Sequence, residues 1–241
     1  MIGTYLNVAA IVAGGIYALA GGKSPSAANQ SWFKLVLGML TGFFGLRLAW
    51  ISLNGSPGQI LKELGVVVLA MMVGKVLGRL LRLQKKSNQI GQLARERIAG
   101  AGAGQPNQFL NGFTVCSALF CAAPLGLLGA VLDGLTGDWA PLAVKAAMEG
   151  LAAMSFVAIF GRGVLFSAVP VLVFQGTVSL ACARFLLPGL AAHHLVEAIN
   201  VTGGLLIFCV ALLILEFRKV EVTDYLPSLA LAPLLTWWWL R

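Results

Sequence analysis

Eight long apolar runs take up most of this 241-residue chain. Charge between them is too sparse to cover a water-soluble fold. Only 11% of the residues are Asp, Glu, Lys or Arg and 59% are hydrophobic, whereas a soluble domain carries about 25% charged residues. An α-helix needs about 20 mostly apolar residues to cross a bilayer. The runs cover 2–21, 32–53, 60–81, 109–132, 141–160, 163–186, 195–215 and 225–240. They are continuous and lack the period-2 alternation of a membrane strand, which argues against a barrel. The expected fold class is therefore all-α: a polytopic transmembrane helix bundle of seven or eight spans.

The formal net charge is +8. In a soluble chain that excess would suggest nucleic acid, but its placement argues otherwise. Arg79, Arg82, Lys85, Lys86, Arg95 and Arg97 form one block behind the third run. Short cytoplasmic loops of membrane proteins retain Lys and Arg, so the block predicts a cytoplasmic loop over 82–108. Such a loop meets anionic lipid head groups rather than nucleic acid. With that loop inside, loops 22–31, 161–162 and 216–224 are also inside and carry Lys23, Arg162, Arg218 and Lys219. Loops 54–59, 133–140 and 187–194 lie outside and carry no Lys or Arg. Both termini face outward, and Trp237, Trp238 and Trp239 fit an aromatic belt.

Two spans are less regular. The third carries Lys62, Glu63, Lys75 and Arg79 near its ends, where long side chains can snorkel to the interfaces. The eighth is short and holds Pro227 and Pro233, so it reads as either a crossing or a re-entrant segment. Ala18-Leu19-Ala20 resembles a signal-peptide cleavage site, but no basic residue precedes the first run, and a retained helix is expected. The four cysteines, Cys116, Cys121, Cys182 and Cys209, fall inside apolar runs without CxxC spacing and read as small hydrophobes.

Within 82–108, residues 82–98 suit a short interfacial helix with a basic face. Gly100, Gly102 and Gly104 then form a flexible linker. This gives three units: an N-terminal three-helix membrane unit (1–81), the basic loop (82–108) and a C-terminal membrane unit (109–241). A faint internal repeat relates spans one to three to spans six to eight. Gly3-Thr4-Tyr5-Leu6-Asn7 opens one trio and Gly163-Val164-Leu165-Phe166-Ser167 the other. Gly38, Gly42 and Gly45 in one second member face Gly203 and Gly204 in the other. An offset of five spans makes the trios inverted, a device of secondary transporters.

Three stretches carry a family resemblance. The first is Gly3-Thr-Tyr-Leu-Asn7 leading into Gly14-Gly15. The second runs from Phe120-Cys-Ala-Ala-Pro-Leu-Gly126 through Asp133-Gly134, Lys145-Ala-Ala-Met-Glu149-Gly150 and Pro170 to Gln175-Gly176. The third is Gly203-Gly204 with Leu226-Pro227. Together they resemble the bacterial membrane-protein family of unknown function 554, the YqgA/YdfK-like proteins. The resemblance implies a multi-pass protein of the bacterial inner membrane and no established activity. That family usually has Asp where this chain has Glu149.

The strongest candidate site residues are Lys145 and Glu149. At i and i+4 they share a helix face, and a mid-membrane carboxylate is a functional-site hypothesis by default. One reading is a proton or cation site; the other is a structural ion pair. Asn7, Gln175 and Asn200 are candidates to line a pathway, or else to bridge helices. Pro170 frees a backbone carbonyl one turn before it. Asp133 is expected in an outer loop, as a turn residue or an acid that draws in cations. His193, His194 and Glu197 lack the spacing of a metalloprotease, so no metal is expected there, and no cofactor or catalytic set is expected elsewhere. Gly38/Gly42 and Gly74/Gly78 have the GxxxG spacing that permits close packing within one chain or in a homodimer.

The expected function is a small secondary transporter or channel-like permease for an ion or small solute, with Glu149 as a coupling carboxylate. The alternative is a non-transporting membrane scaffold or accessory subunit. A polar cavity reaching Glu149 favours the first, and an enclosed ion pair favours the second.

Overall fold

The computed structural model describes residues 1–100 and 107–239. Of the glycine linker expected over 100–104, Gly102 and Gly104 lie outside the described residues. Those described form helices α1 (Ile2–Leu19), α2 (Ala27–Ser52), α3 (Pro57–Leu80), α4 (Leu83–Ala99), α5 (Gln108–Ala122), α6 (Pro124–Leu135) and α7 (Ala140–Phe160). After them come α8 (Gly163–Phe166), α9 (Ala168–Ala181), α10 (Leu187–Ala192), α11 (Val196–Ile214) and α12 (Ser228–Trp239). No strand occurs among the described residues. Five helical segments are long and apolar enough to cross a membrane, counting α8 to α10 (Gly163–Ala192) as one, or up to seven if each bent pair counts as one span. The protein is a polytopic all-α membrane bundle.

Local chemistry explains where the helices start and break. Ser26 Oγ accepts the Asn29 N–H at the start of α2. Ser56 and Gln59 form a capping box ahead of Pro57 in α3, satisfying first-turn donors that have no partner within the helix. Pro124 cannot donate to Phe120, and the fourth run, read as continuous in sequence, bends by 60° between α5 and α6. A π-helical turn, Cys182–Leu186, separates α9 from α10. Pro188 lies four residues after Arg184 and has no N–H for its carbonyl, which accounts for the break there. The third run turns by 58° into α4, through Arg82 in a left-handed conformation. Gln84 N–H donates to Asp224 Oδ1 (2.8 Å) and Thr223 N–H donates to Gln84 Oε1 (3.1 Å). The start of α4 is thus capped from the turn preceding α12.

The N-terminal and C-terminal membrane units interleave: α1 packs on α7, α2 on α11 and α3 on α12. Along α1 and α7 the facing residues rise together, Gly3 with Leu142 and Gly14 with Gly150, so these helices run parallel. Along α2 and α11 they run in opposite directions: Gly38 meets Leu215, Gly42 meets Ala211 and Gly45 meets Phe208. The crossing is reciprocal. A Cβ on Gly45 would lie 2.6 Å from the Gly204 carbonyl oxygen, and one on Gly204 would lie 2.5 Å from that of Gly45. A two-fold axis through the crossing produces such a contact, and the two helices are the second members of the trios in the internal repeat.

The last segment does not turn back. Gly78 of α3 faces Asp224, Gly74 faces Ser228, and Ala70 clusters with Ala232. The segment ascends antiparallel to α3 until Thr236 and Glu63 share a cavity with His194 and Glu197. Its helix has only 12 residues, below the length of a full span.

On the polar end of the bundle, the Arg79 guanidinium donates to Glu221 Oε2 (2.9 Å) and holds that carboxyl below the usual carboxylate range. Lys34 does the same for Glu216.

Candidate functional site

The break at Pro124 builds the site. In an unbroken helix the Phe120 carbonyl would accept an N–H from residue 124, and proline has none. The orphaned oxygen instead accepts from Lys145 Nζ of α7 at 3.0 Å. The same ammonium pairs with the Glu149 carboxylate one turn along α7. Lys145 is 3% exposed and Glu149 6%. A charge at this depth is tolerated because it is paired and hydrogen-bonded.

Around this pair the break gathers other polar groups. Asn7 Nδ2 of α1 donates to Gln175 Oε1 of α9 at 3.2 Å, and both residues are fully buried. Gly126, the third residue of α6, lies under both clusters. A Cβ there would come 2.9 Å from Lys145 Cε and 3.4 Å from Gln175 Nε2. With glycine there, both side chains rest on the first turn of α6 without being pushed aside. Four of the six residues singled out in the sequence (Lys145, Glu149, Asn7 and Gln175) therefore meet at one broken helix. Several of their polar atoms have no partner: Glu149 Oε2, Asn7 Oδ1 and Gln175 Nε2. Such atoms are costly in a bundle interior.

The other two candidates lie elsewhere. Asp133 is not in an outer loop. α6 continues to Leu135, and Asp133 is buried in its last turn, with Oδ1 3.1 Å from the Met1 amine. The apolar run ends at Leu132, but the helix does not, because Gly134 and Leu135 still pack inside. Asp138 does sit in the turn, accepting the Ala140 N–H at 3.1 Å. Asn200 is buried on α11 with Oδ1 unpartnered. Its neighbours Ile199 and Val201 face Leu135 and Ala49, and no hydrogen bond links it to the Lys145 cluster.

The Phe120 carbonyl was not singled out in the sequence. Backbone groups carry no residue signature, and the one signal was the proline four residues later. The meeting of Glu63 with Glu197 at a cavity of about 30 Å³ was also not legible, since it depends on how α3 packs against α11.

Two larger clefts, each about 650 Å³, have mostly apolar linings. One lies among Leu135, Cys182, Leu186, Ile199, Leu229 and Trp237; the other among Ala10, Tyr17, Trp32, Val36, Gly150 and Met154. Neither is lined by Lys145, Glu149, Asn7 or Gln175. The ion pair is enclosed.

Comparison with known proteins agrees with this architecture. The chain is 28% identical over 243 residues to YqgA of Escherichia coli (strain K12), described as an uncharacterized protein; the match covers 99% of this chain and 97% of the relative. It is 24% identical over 234 residues to YdfK of Bacillus subtilis (strain 168), described as an uncharacterized membrane protein, covering 97% and 94%. No solved structure matches. The family model described as a protein of unknown function, DUF554, matches residues 2–237, and the chain belongs to that family.

Proposed function

We propose that the protein is a small secondary transporter or channel-like permease for an ion or small solute, coupled to protons through Glu149. It would lie in the bacterial inner membrane with the 82–108 segment on the cytoplasmic side. One observation carries this reading. A transmembrane helix is broken in the bundle interior, and a lysine–carboxylate pair occupies the break. Discontinuous helices at the interface of inverted repeats are where transporters bind substrates and coupling ions. Ionisable groups at that depth mark proton and ion paths. The reciprocal α2–α11 crossing supplies a frame about which two halves can rock.

In this mechanism Glu149 alternates between paired carboxylate and neutral acid. Protonation releases Lys145 from its side-chain partner and changes access to the break. The enclosure of the pair then corresponds to a closed state. That same enclosure favours the second reading, a membrane scaffold in which Lys145, balanced by Glu149, only ties α7 to the Phe120 carbonyl of α5.

Liposomes holding the purified protein and a trapped pH dye separate the two. In a mixed-salt medium the wild type moves protons across the vesicle membrane, and Glu149→Gln stops that movement. Equal flux in both proteins sinks the coupling role. A wild type that moves nothing supports the scaffold.

A further inference from the structure

We infer that the break at Pro124 takes up a small monovalent anion together with the proton on Glu149. This deepens the transporter reading and rests on it.

The geometry at the break is one of facing helix ends. The last carbonyls of α5 present negative partial charge and the first turn of α6 presents positive partial charge. Pro124 has no N–H and the Gly126 N–H is taken by the Ala123 carbonyl (2.9 Å), so the donors toward a ligand are side chains. Lys145 lies between them, bonded to the Phe120 carbonyl and resting over Gly126. The helix that starts here is twelve residues long. A fully buried amide, Gln175, points a nitrogen without a partner at it. A helix start in a protein interior binds anions when further donors converge on it. Here Lys145 and Gln175 are those donors.

Charge neutrality sets the stoichiometry. With Glu149 ionised, the ammonium and carboxylate cancel and the interior is neutral. A proton added to Glu149 alone would leave Lys145 as an unanswered cation beside the positive end of α6, which is costly in a membrane interior. One anion entering with that proton restores neutrality, with Lys145 exchanging its carboxylate partner for the incoming ion. The two unpartnered acceptors nearby are Glu149 Oε2 and Asn7 Oδ1. Protonation gives the Glu149 carboxyl a donor, so the loaded site is richer in donors than the empty one.

Few other ionisable groups bear on Glu149. The helices packed on α7 are α1, α2, α5, α6 and α8. They bring Tyr5 and Tyr17 (α1), Lys34 and Arg47 (α2), Cys116 and Cys121 (α5) and Asp133 (α6), while α8 brings none. Of these, Cys121 interacts electrostatically with Lys145. Asp133 lies with the Met1 amine and Lys34 with Glu216.

The test titrates sodium chloride and sodium nitrate, against sodium gluconate, into the purified full-length protein by calorimetry. Coupled uptake of one proton predicts that wild-type affinity for chloride or nitrate rises about tenfold for each pH unit of acidification, over the range where Glu149 is ionised before binding. Glu149→Gln, a mimic of the protonated acid, binds the anion without that slope. Gln175→Met weakens binding at least several-fold while retaining the fold, checked by its unfolding midpoint. In liposomes an inward chloride gradient drives protons inward through the wild type. No anion binding to either the wild type or Glu149→Gln overturns the inference, as does sodium or potassium exchanging for protons. If Glu149→Gln still abolishes proton flux in that case, the transporter reading stands and only the anion assignment falls. Unchanged proton flux in Glu149→Gln removes both.

Discussion

Lys145 answers to three partners at once: the orphaned Phe120 carbonyl, the Glu149 carboxylate and the surface of α6 over Gly126. Two of them hold the ammonium and the third supports Cε, so the lysine can lose one partner without leaving the break. Its removal has a different consequence. Lys145→Met strands Glu149 as a buried carboxylate without a cation, and uncoupling a buried pair in this way costs about 3–5 kcal/mol. The double variant Lys145→Met/Glu149→Leu carries no stranded charge and recovers most of that loss, because well-packed apolar replacements of buried pairs are often neutral. Denaturant titration in mixed micelles measures both. A double variant as unstable as the single one would show that the pair is needed for the fold itself. The Asn7–Gln175 bond is a more modest anchor, of about 1 kcal/mol, and it leaves Gln175 Nε2 and Asn7 Oδ1 without partners.

At the scale of elements, α4 depends on a residue far away in sequence. Asp224 accepts the Gln84 N–H in the first turn of α4 and is itself buried. Asp224→Ala removes this cap at a cost of about 1 kcal/mol, and hydrogen exchange should quicken first over residues 83–86. Unchanged exchange there would mean that packing, not the cap, sets the start of α4. The limits of sequence reading lie at the same scale. Long, mostly apolar helices such as α1, α7 and α11 were legible because crossing a bilayer demands a sustained apolar run. The i, i+4 spacing of Lys145 and Glu149 was legible because helix geometry fixes it. The bend at Pro124 was not, because hydropathy is the same for a bent and a straight helix. Pro170 drew attention beside Gln175, while Pro124 frees the carbonyl that Lys145 takes. The partnership of Asn7 with Gln175 was hidden because contacts between distant helices leave no local spacing.

For the whole molecule, the loop charges predict which end faces the cytoplasm. Asn54→Cys and Lys86→Cys place thiols at exposed positions on opposite sides of the expected membrane. In intact cells a membrane-impermeant maleimide should label the first, and should label the second only after the inner membrane is opened, relative to the parent chain. The reverse pattern would invert the topology. The pairing of early helices with late ones also sets a timetable for assembly. Asn7 and Gln175 are 168 residues apart. At a synthesis rate of about 5–20 residues per second, the partner of Asn7 follows it from the ribosome by roughly 8–34 s. Throughout that interval the first helix carries an unsatisfied amide, and α2 waits a similar time for α11. A chain that stalls before residue 175 leaves Asn7 without its native partner, so incomplete products should be recognised and degraded as unassembled membrane segments.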